Sequence, residues 1–215
     1  MTDGKPDLKA AYDLKTPADS QKLYRGWAAT YDQNFAAAMG YTYPASLAGA
    51  YAQFAGSTDA PILDIGAGTG LVAQALAQIG HGPIDGLDIS REMLAVARQK
   101  GLYRQTIAAD LTQRLPLEDC TYGGLVSAGT FTHGHVGPDA LDELLRVAKP
   151  GALFVLGINA AIYETAGFAK KFATLAIDIR DFELLSRRIY GEAEASGAAH
   201  AHVQDMAQLA VFRKR

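Results

Sequence analysis

The 215-residue sequence contains a single cysteine, Cys120, which excludes an internal disulfide and a zinc site built from several cysteines. It lacks an apolar run long enough to span a bilayer, and its first residues lack the apolar core of a secretory signal. It also lacks a long block of Lys or Arg, and its formal charge is −3. Electrostatics therefore favour no nucleic-acid partner. We expect a cytoplasmic protein without a membrane partner, and the sequence does not predict its oligomeric state.

The composition favours one folded domain. Hydrophobic residues make up 49% of the chain, and its length allows a substantial buried core. The first 58 residues are rich in alanine and tyrosine and carry helical patterns. We therefore expect a helical lid over residues 1–58, docked on a compact unit over residues 59–215.

Residues 61–71 organise the rest of the chain. They read Pro-Ile-Leu-Asp-Ile-Gly-Ala-Gly-Thr-Gly-Leu, in which a strand-like segment runs into glycines at alternate positions. The residues that follow place Val72, Ala75, Leu76 and Ile79 on one helical face. A strand, a glycine turn and a helix in this order are typical of the opening unit of a doubly wound nucleotide-binding sheet.

The position of the third glycine distinguishes between two kinds of ligand. A dinucleotide loop reads G-x-G-x-x-G, but here Leu71 stands at the last glycine position and Gly70 comes one residue early. An acid, Asp64, also precedes the first glycine by two residues. A tight turn that is rich in glycine for structural reasons alone is the simpler alternative.

A second acid follows the next predicted strand, which covers residues 83–89. Asp88 lies where a parallel β–α–β unit brings the next strand end beside the glycine loop. Its two oxygens suit the two hydroxyls of a ribose, although the residue could merely cap the turn. Ile89 and Met93 would offer apolar contacts to an adenine ring. Ser90 is expected to begin the next helix.

A third acid, Asp110, follows a predicted strand at residues 105–109. Further strands are predicted at 122–128, 152–158, 182–190 and 207–213, and a helix is predicted to begin at Pro138 and to end at Lys149-Pro150-Gly151. No helical pattern separates the last two strands, which favours an antiparallel hairpin.

The acid and glycine pattern at Asp64, Gly66, Gly68 and Gly70, followed by Asp88 and Asp110, resembles class I S-adenosylmethionine-dependent methyltransferases. The resemblance implies an α/β, mostly parallel, seven-stranded Rossmann-like sheet whose last strand is antiparallel. It implies S-adenosyl-L-methionine as the cofactor, with the glycine loop at its methionine end and Asp110 and Leu111 at its adenine. The cofactor-binding residues expected on this basis are Asp64, Gly66, Ala67, Gly68, Gly70, Asp88, Ile89, Met93, Asp110, Leu111, Ala128 and Tyr31.

A narrower likeness extends into the first 58 residues. The elements Tyr12-Asp13-Leu14, Tyr31-Asp32 and Gly40-Tyr41 resemble the Williams-Beuren syndrome critical region 27-like methyltransferases. Residues 20–39 are predicted to form a helix with an aromatic stripe. Tyr24, Trp27 and Tyr31 are candidate lid residues over cofactor and substrate, although such a stripe is more commonly plain core.

The loop after the fourth strand carries His133 and His135, which are candidate general bases. Histidines in a turn could instead bond the backbone or face water. The chain lacks an Asn/Asp-Pro-Pro-Tyr/Phe loop, a Pro-Cys nucleophile loop and the acids of a magnesium-dependent catechol enzyme. We therefore expect metal-independent methyl transfer to a small molecule. A cofactor-binding sensor without catalysis and a nicotinamide-dependent oxidoreductase are the two alternatives.

Overall fold

The computed structural model of the chain describes residues 17–28, 30–32, 40–133, 136–191 and 205–215. Its helices are α1 (Pro17–Trp27), α2 (Tyr43–Phe54), α3 (Leu71–Gln78), α4 (Arg91–Gln99), α5 (Ala140–Val147), α6 (Ala160–Tyr163) and α7 (Phe168–Thr174), with a 3₁₀ turn at Leu175–Ile177. Its strands are β1 (Ile62–Ile65), β2 (Ile84–Asp88), β3 (Gln105–Ala108), β4 (Tyr122–Phe131), β5 (Ala148–Asn159), β6 (Ile179–Arg188) and β7 (Met206–Lys214).

The seven strands form one sheet in the order β3-β2-β1-β4-β5-β7-β6. Strands β1 to β5 run parallel, whereas β7 is antiparallel to both β5 and β6. The order in which strands are added to the sheet reverses at β1. Strands β2 and β3 lie on one side of β1, and strands β4 and β5 lie on the other. The carboxyl ends of β1 and β4 thereby flank the switch point at which such sheets bind ligands.

Alternation along the strands divides the buried core between the two faces of the sheet. Ile62 and Val126 belong to the cluster that contacts α1 to α4, whereas Leu63 and Leu125 belong to the cluster that contacts α5 to α7. Asp64 follows the alternation of Ile62, so its side chain lies on the α3 and α4 face. Helix α2 packs on this same face, with Leu47 and Tyr51 fully buried.

Several element boundaries differ from the predicted ones. Strand β5 begins at Ala148, before the Lys149-Pro150-Gly151 segment, because Ala148 pairs with Tyr122 of β4. Strand β4 runs on to Phe131. The predicted helix over residues 20–39 is interrupted after Trp27, and Tyr31 and Asp32 are again helical. At the interruption the Thr30 amide bonds the Trp27 carbonyl, which makes a turn tighter than an α-helix, and residues 33–39 lie outside the described residues. Across the part of the chain that is described, every helix is too short or too polar to cross a bilayer.

Candidate active site

The glycine loop between β1 and α3 is left-handed at alternate residues. Gly66, Gly68 and Gly70 have φ angles of 67°, 52° and 91°. A side chain is strained at such angles, so three closely spaced glycines allow a backbone path that other residues would resist. The Ala67 amide bonds the Leu87 carbonyl at 2.9 Å, which ties the loop to the end of β2.

The three glycines make room for different neighbours. A Cβ on Gly66 would lie 1.9 Å from the Thr130 hydroxyl, which donates to the Ile65 carbonyl at 2.9 Å. A Cβ on Gly70 would lie 3.2 Å from the ring of Tyr103. Gly68 lines the cleft beside the loop, and the nearest atom to a Cβ there would be 4.0 Å away. At Gly68, therefore, the main chain is open to a ligand.

Asp88 joins the glycine loop to the end of β2. Its Oδ2 accepts from the Gly68 amide at 2.8 Å, and its Oδ1 accepts from the Ser90 amide at 2.7 Å. Burial raises the pKa of Asp88, while these amides act in the opposite direction. Each oxygen retains lone-pair capacity for a further donor. The carboxylate is thus fixed in place and can still accept hydrogen bonds from a ligand.

Asp64 lies fully buried under the loop. The Tyr103 hydroxyl donates to its Oδ2 at 2.6 Å, whereas Oδ1 completes no hydrogen bond within the described residues. Burial raises the pKa of Asp64 to about 7, although the hydrogen bond from Tyr103 and the Ala73 amide act to lower it. Asp64 does not line the cleft, so it supports the loop from behind.

Asp110 follows β3 on the far side of the cleft. Its Oδ1 accepts from both the amide and the hydroxyl of Thr112, at 2.8 and 2.7 Å. These bonds make a local turn that holds the carboxylate at the cleft wall, where Asp110 and Leu111 both lie.

The cleft itself runs from the glycine loop to the rings of Tyr24 and Tyr31, which we call the aromatic cover. Its lining residues are Tyr24, Tyr31, Tyr41, Pro44, Gly66, Ala67, Gly68, Thr69, Leu71, Val72, Asp88, Ile89, Met93, Ala109, Asp110, Leu111, Ala128, Gly129, Thr130 and Val136. Tyr24 and Tyr31 come from the N-terminal segment, and Trp27 packs edge-on against Tyr31 with ring centroids 5.2 Å apart. Residues from distant parts of the chain therefore meet over one sheet edge.

Two polar links hold the N-terminal segment against the loop and α4. The Thr69 hydroxyl donates to Oδ1 of Asp32, and Lys100 forms an ion pair with Oδ2 of Asp32 at 2.6 Å. Nearer the start of the chain, Arg25 pairs with Glu92 at 3.0 Å on the exposed surface. The Asp32 links are the more shielded, since the Lys100 and Asp32 side chains are 21% and 33% exposed.

The structure brings most of the sequence-predicted residues together. The residues among them that line the cleft are Tyr24, Tyr31, Gly66, Ala67, Gly68, Asp88, Ile89, Met93, Asp110, Leu111 and Ala128. Asp64, Gly70 and Trp27 lie behind this wall, where Trp27 is only 4% exposed. Their expected contacts with cofactor or substrate remain predictions, and their observed contacts are with Tyr103 and the aromatic cover.

The predicted catalytic histidines have separate outcomes. His133 follows β4, is half-buried and is not among the residues that line the cleft. His135 lies outside the described residues. Within the described residues, no group of three or more His, Cys, Asp or Glu side chains is arranged to hold a metal ion.

Sequence reasoning missed several residues of the site. Tyr103 has no motif of its own, whereas Tyr41 and Thr130 lie in segments that carry the family likeness but were not predicted to line the site. Gly86 is one feature of the sequence that could have indicated a side chain packed closely against β2. It is a glycine in the middle of a buried strand, and a Cβ there would lie 2.9 Å from the Tyr103 ring. Such a glycine indicates the close approach of another group.

Comparison with known proteins agrees with this geometry. Residues 63–156 match the family model described as a methyltransferase domain. The chain is 34% identical over 152 residues to methyltransferase-like protein 27 of Homo sapiens, covering 69% of this chain and 61% of that protein. It is 29% identical over 156 residues to a demethylmenaquinone methyltransferase of Chlorobaculum tepidum, covering 70% and 64%. The chain thus spans less than two thirds of the length of these relatives.

A solved structure with the same fold is that of a SAM-dependent methyltransferase from Aquifex aeolicus. It has a TM-score of 0.58 and 17% identity, covering 91% of this chain and 97% of that one. The matched segment 63–156 contains the glycine loop and strands β1 to β4 with most of β5. These findings support a class I S-adenosylmethionine-dependent methyltransferase that is similar to the group of methyltransferase-like protein 27.

Proposed function

We propose that this chain transfers the methyl group of S-adenosylmethionine to a small-molecule acceptor by in-line displacement, without a metal ion. One observation carries the proposal. The left-handed glycine loop, with Gly68 bonded to Asp88, opens on a cleft that tyrosines of the N-terminal segment cover. A covered cleft of this kind suits a molecule of metabolite size.

The residues at the loop fit the family's cofactor. Asp88 would accept the ribose hydroxyls on its remaining lone pairs, because its amide bonds fix it facing the loop. Asp110 would accept from the adenine amine through Oδ2, since Thr112 occupies Oδ1. Ile89, Met93 and Leu111 would provide apolar contacts for the adenine ring. The open main chain at Gly68 allows close approach of the cofactor, whose methionine end the loop would hold.

The bound sulfonium supplies an already activated methyl group, so the chain has mainly to orient the acceptor and exclude water. Positioning of this kind can provide roughly 7 kcal/mol of the barrier reduction. Tyr24 and Tyr31 line the cleft and would shield it from water. Burial raises the pKa of both phenols, so they stay protonated and act as walls or donors rather than as bases.

A general base is needed only when the acceptor carries a proton on its nucleophile. His133 remains our candidate for that base, with His135 as the second. Because His133 does not line the cleft, it would have to act through a water molecule or after the loop that follows β4 moves inward.

The relatives support a small acceptor. The Chlorobaculum protein is named for methylating demethylmenaquinone, and the shared region includes the cofactor loop. An aromatic cover, rather than a basic surface, fits an acceptor that enters the cleft whole.

The proposal is tested with tritiated S-adenosylmethionine and a metabolite extract freed of protein and nucleic acid. We expect label to move into the low-molecular-weight fraction with the wild-type protein, and not with Asp88→Ala, whose cofactor binding is weakened. Binding of S-adenosylhomocysteine without any transfer to that fraction would contradict the proposal and favour a sensor.

A further inference from the structure

One part of the cleft wall is left over when the residues fitted to the cofactor are set aside. It includes Tyr24, Tyr31, Tyr41 and Pro44 from the N-terminal segment, with Thr130 and Val136 from β4 and the loop after it, and Tyr31 is also expected to contact the cofactor. We call these six residues the acceptor wall. Three of them present flat phenol rings, and the other three are small or apolar. The wall therefore offers broad ring surface with a few polar tips.

The phenol rings of the acceptor wall are held by other aromatic residues. Tyr24 packs edge-on to Tyr31 with ring centroids 6.4 Å apart. Tyr41 packs against Tyr43 and Tyr190, with centroids at 6.3 and 5.8 Å, and its backbone forms a β-bridge to Tyr190. Rings fixed in this way form a surface that is shaped before a ligand arrives, which reduces the entropic cost of binding a flat molecule.

The charges around the acceptor wall are negative. Of the described residues that line the cleft, the charged ones are Asp88 and Asp110. Burial raises the pKa of Tyr24, and the charge of Asp88 raises it further. The same holds for Tyr41, where the nearby phenols and Asp64 add to the effect of burial. The phenols stay neutral, and the cleft disfavours additional negative charge.

An anionic acceptor would therefore bind poorly. A carboxylate or phosphate that enters the cleft loses water and meets neutral phenols, and the described residues that line the cleft include no cationic side chain. Desolvation of a charge without a cationic partner is costly. An uncharged ring loses little on leaving water and gains contact with the phenols. Its hydroxyl or amine can donate to Thr130, whose own proton is engaged with the Ile65 carbonyl.

We infer that the methyl acceptor is an uncharged planar aromatic molecule held by Tyr24, Tyr31 and Tyr41, and that carboxylated or phosphorylated analogues are rejected. This inference rests on the proposed methyl transfer.

The test uses two probes of nearly equal shape, 6-hydroxy-2-naphthamide and 6-hydroxy-2-naphthoate, which differ in charge. Each is titrated by calorimetry into the protein saturated with S-adenosylhomocysteine at neutral pH. We expect the amide to bind about tenfold more tightly or better. Equal or tighter binding of the naphthoate, or binding of neither probe, overturns the inference. Failure of S-adenosylhomocysteine itself to bind would instead overturn the proposed function.

A variant tests the wall itself. Tyr41→Leu keeps apolar bulk and removes the ring, and we expect it to weaken naphthamide binding about fivefold or more while S-adenosylhomocysteine binds as before. Phe182→Leu is the matched control, since this half-exposed ring lies on β6 and does not line the cleft. Unchanged naphthamide binding in Tyr41→Leu, or an equal loss in both variants, would show that the acceptor does not contact this wall.

Discussion

The Tyr103 hydroxyl donates to the buried carboxyl of Asp64 at 2.6 Å, and the ring of the same tyrosine fills the space that Gly70 and Gly86 leave open. Tyr103 thus contacts Asp64 of β1, Gly86 of β2 and Gly70, which immediately precedes α3. It supports the glycine loop from behind without lining the cleft.

Tyr103→Phe should therefore weaken binding of S-adenosylhomocysteine. The substitution leaves Oδ2 of Asp64 without a donor, and an unpaired buried polar group costs about 1–3 kcal/mol. We expect the dissociation constant to rise about three- to tenfold, measured by calorimetry at a temperature at which the variant is folded.

Tyr122→Phe is the matched control for this prediction. Tyr122 also donates to a buried aspartate, Asp85, at 2.8 Å, but at the opposite end of β2. Asp85 keeps its bonds from Arg104 and Gln105 in that variant. Cofactor-product affinity should be unchanged in Tyr122→Phe, and an equal loss in both variants would contradict a specific supporting role for Tyr103.

The raised pKa of Asp64 predicts how stability depends on pH. Its carboxyl titrates at about 7 in the folded protein, because burial disfavours its charged form, and near its usual value of ~3.9 when unfolded. Between these values the folded chain holds a proton that the unfolded chain has released. Stability therefore falls as the pH rises through this window, by up to ~1.4 kcal/mol per pH unit.

Asp64→Asn should remove this dependence, because its amide cannot titrate and its oxygen can still accept from Tyr103. Urea unfolding at pH 5 and pH 8 should show the wild type losing stability relative to Asp64→Asn at the higher pH. Burial by itself would raise the pKa of Asp85, but bonds from Arg104, Gln105 and Tyr122 lower it. Its titration lies below this window, so Asp85→Asn should show no comparable change between the two pH values. A stability difference between wild type and Asp64→Asn that stays constant with pH would contradict the account.

The ion pair between Asp32 and Lys100 is expected to slow the dissociation of a ligand from the cleft. Asp32 links the N-terminal segment to Thr69 of the glycine loop and to Lys100 after α4. Lys100→Met should raise the dissociation rate of S-adenosylhomocysteine about threefold or more, measured by stopped-flow displacement, because this half-buried pair closes the cover. Arg25→Met breaks an exposed pair with Glu92, in which Arg25 is 68% exposed, and should change the rate little. Similar rates in both variants would argue against a role for Asp32 in closure.

Asp88 should dominate cofactor affinity. Asp88→Ala removes the proposed ribose acceptor and leaves the Gly68 and Ser90 amides without their partner, so we expect affinity for S-adenosylhomocysteine to fall about tenfold or more. Asp88→Asn keeps one acceptor oxygen and should lie between wild type and Asp88→Ala. Asp119→Ala, which removes an exposed carboxylate, should have no effect. Wild-type affinity in Asp88→Ala would place the ribose elsewhere.

The sequence predicted the parts of the site that local patterns encode. The glycine loop has a fixed spacing, and Asp88 and Asp110 follow strands whose apolar patterns are recognisable. Because parallel strands end at the same edge of a sheet, these residues could be placed side by side without a structure. The mostly parallel, seven-stranded sheet followed from the family resemblance, and the antiparallel last strand followed both from that resemblance and from the lack of a helical pattern between the last two strands.

The contacts that hold these parts in place could not be predicted in the same way. Tyr103 and Asp64 lie 39 residues apart, and Asp32 and Thr69 lie 37 apart, in segments without a shared pattern. Helical spacing also put Trp27 and Tyr31 on one face, but only the packing shows that Tyr31 reaches the cleft while Trp27 is covered. Periodicity identifies a buried face of a helix and does not say what that face is buried against.

Calorimetry with S-adenosylhomocysteine and with NAD distinguishes a cleft that binds S-adenosylmethionine from one that binds a dinucleotide. We predict saturable binding of S-adenosylhomocysteine that weakens about tenfold in Asp88→Ala, and no binding of NAD. Binding of NAD without binding of S-adenosylhomocysteine would contradict the account.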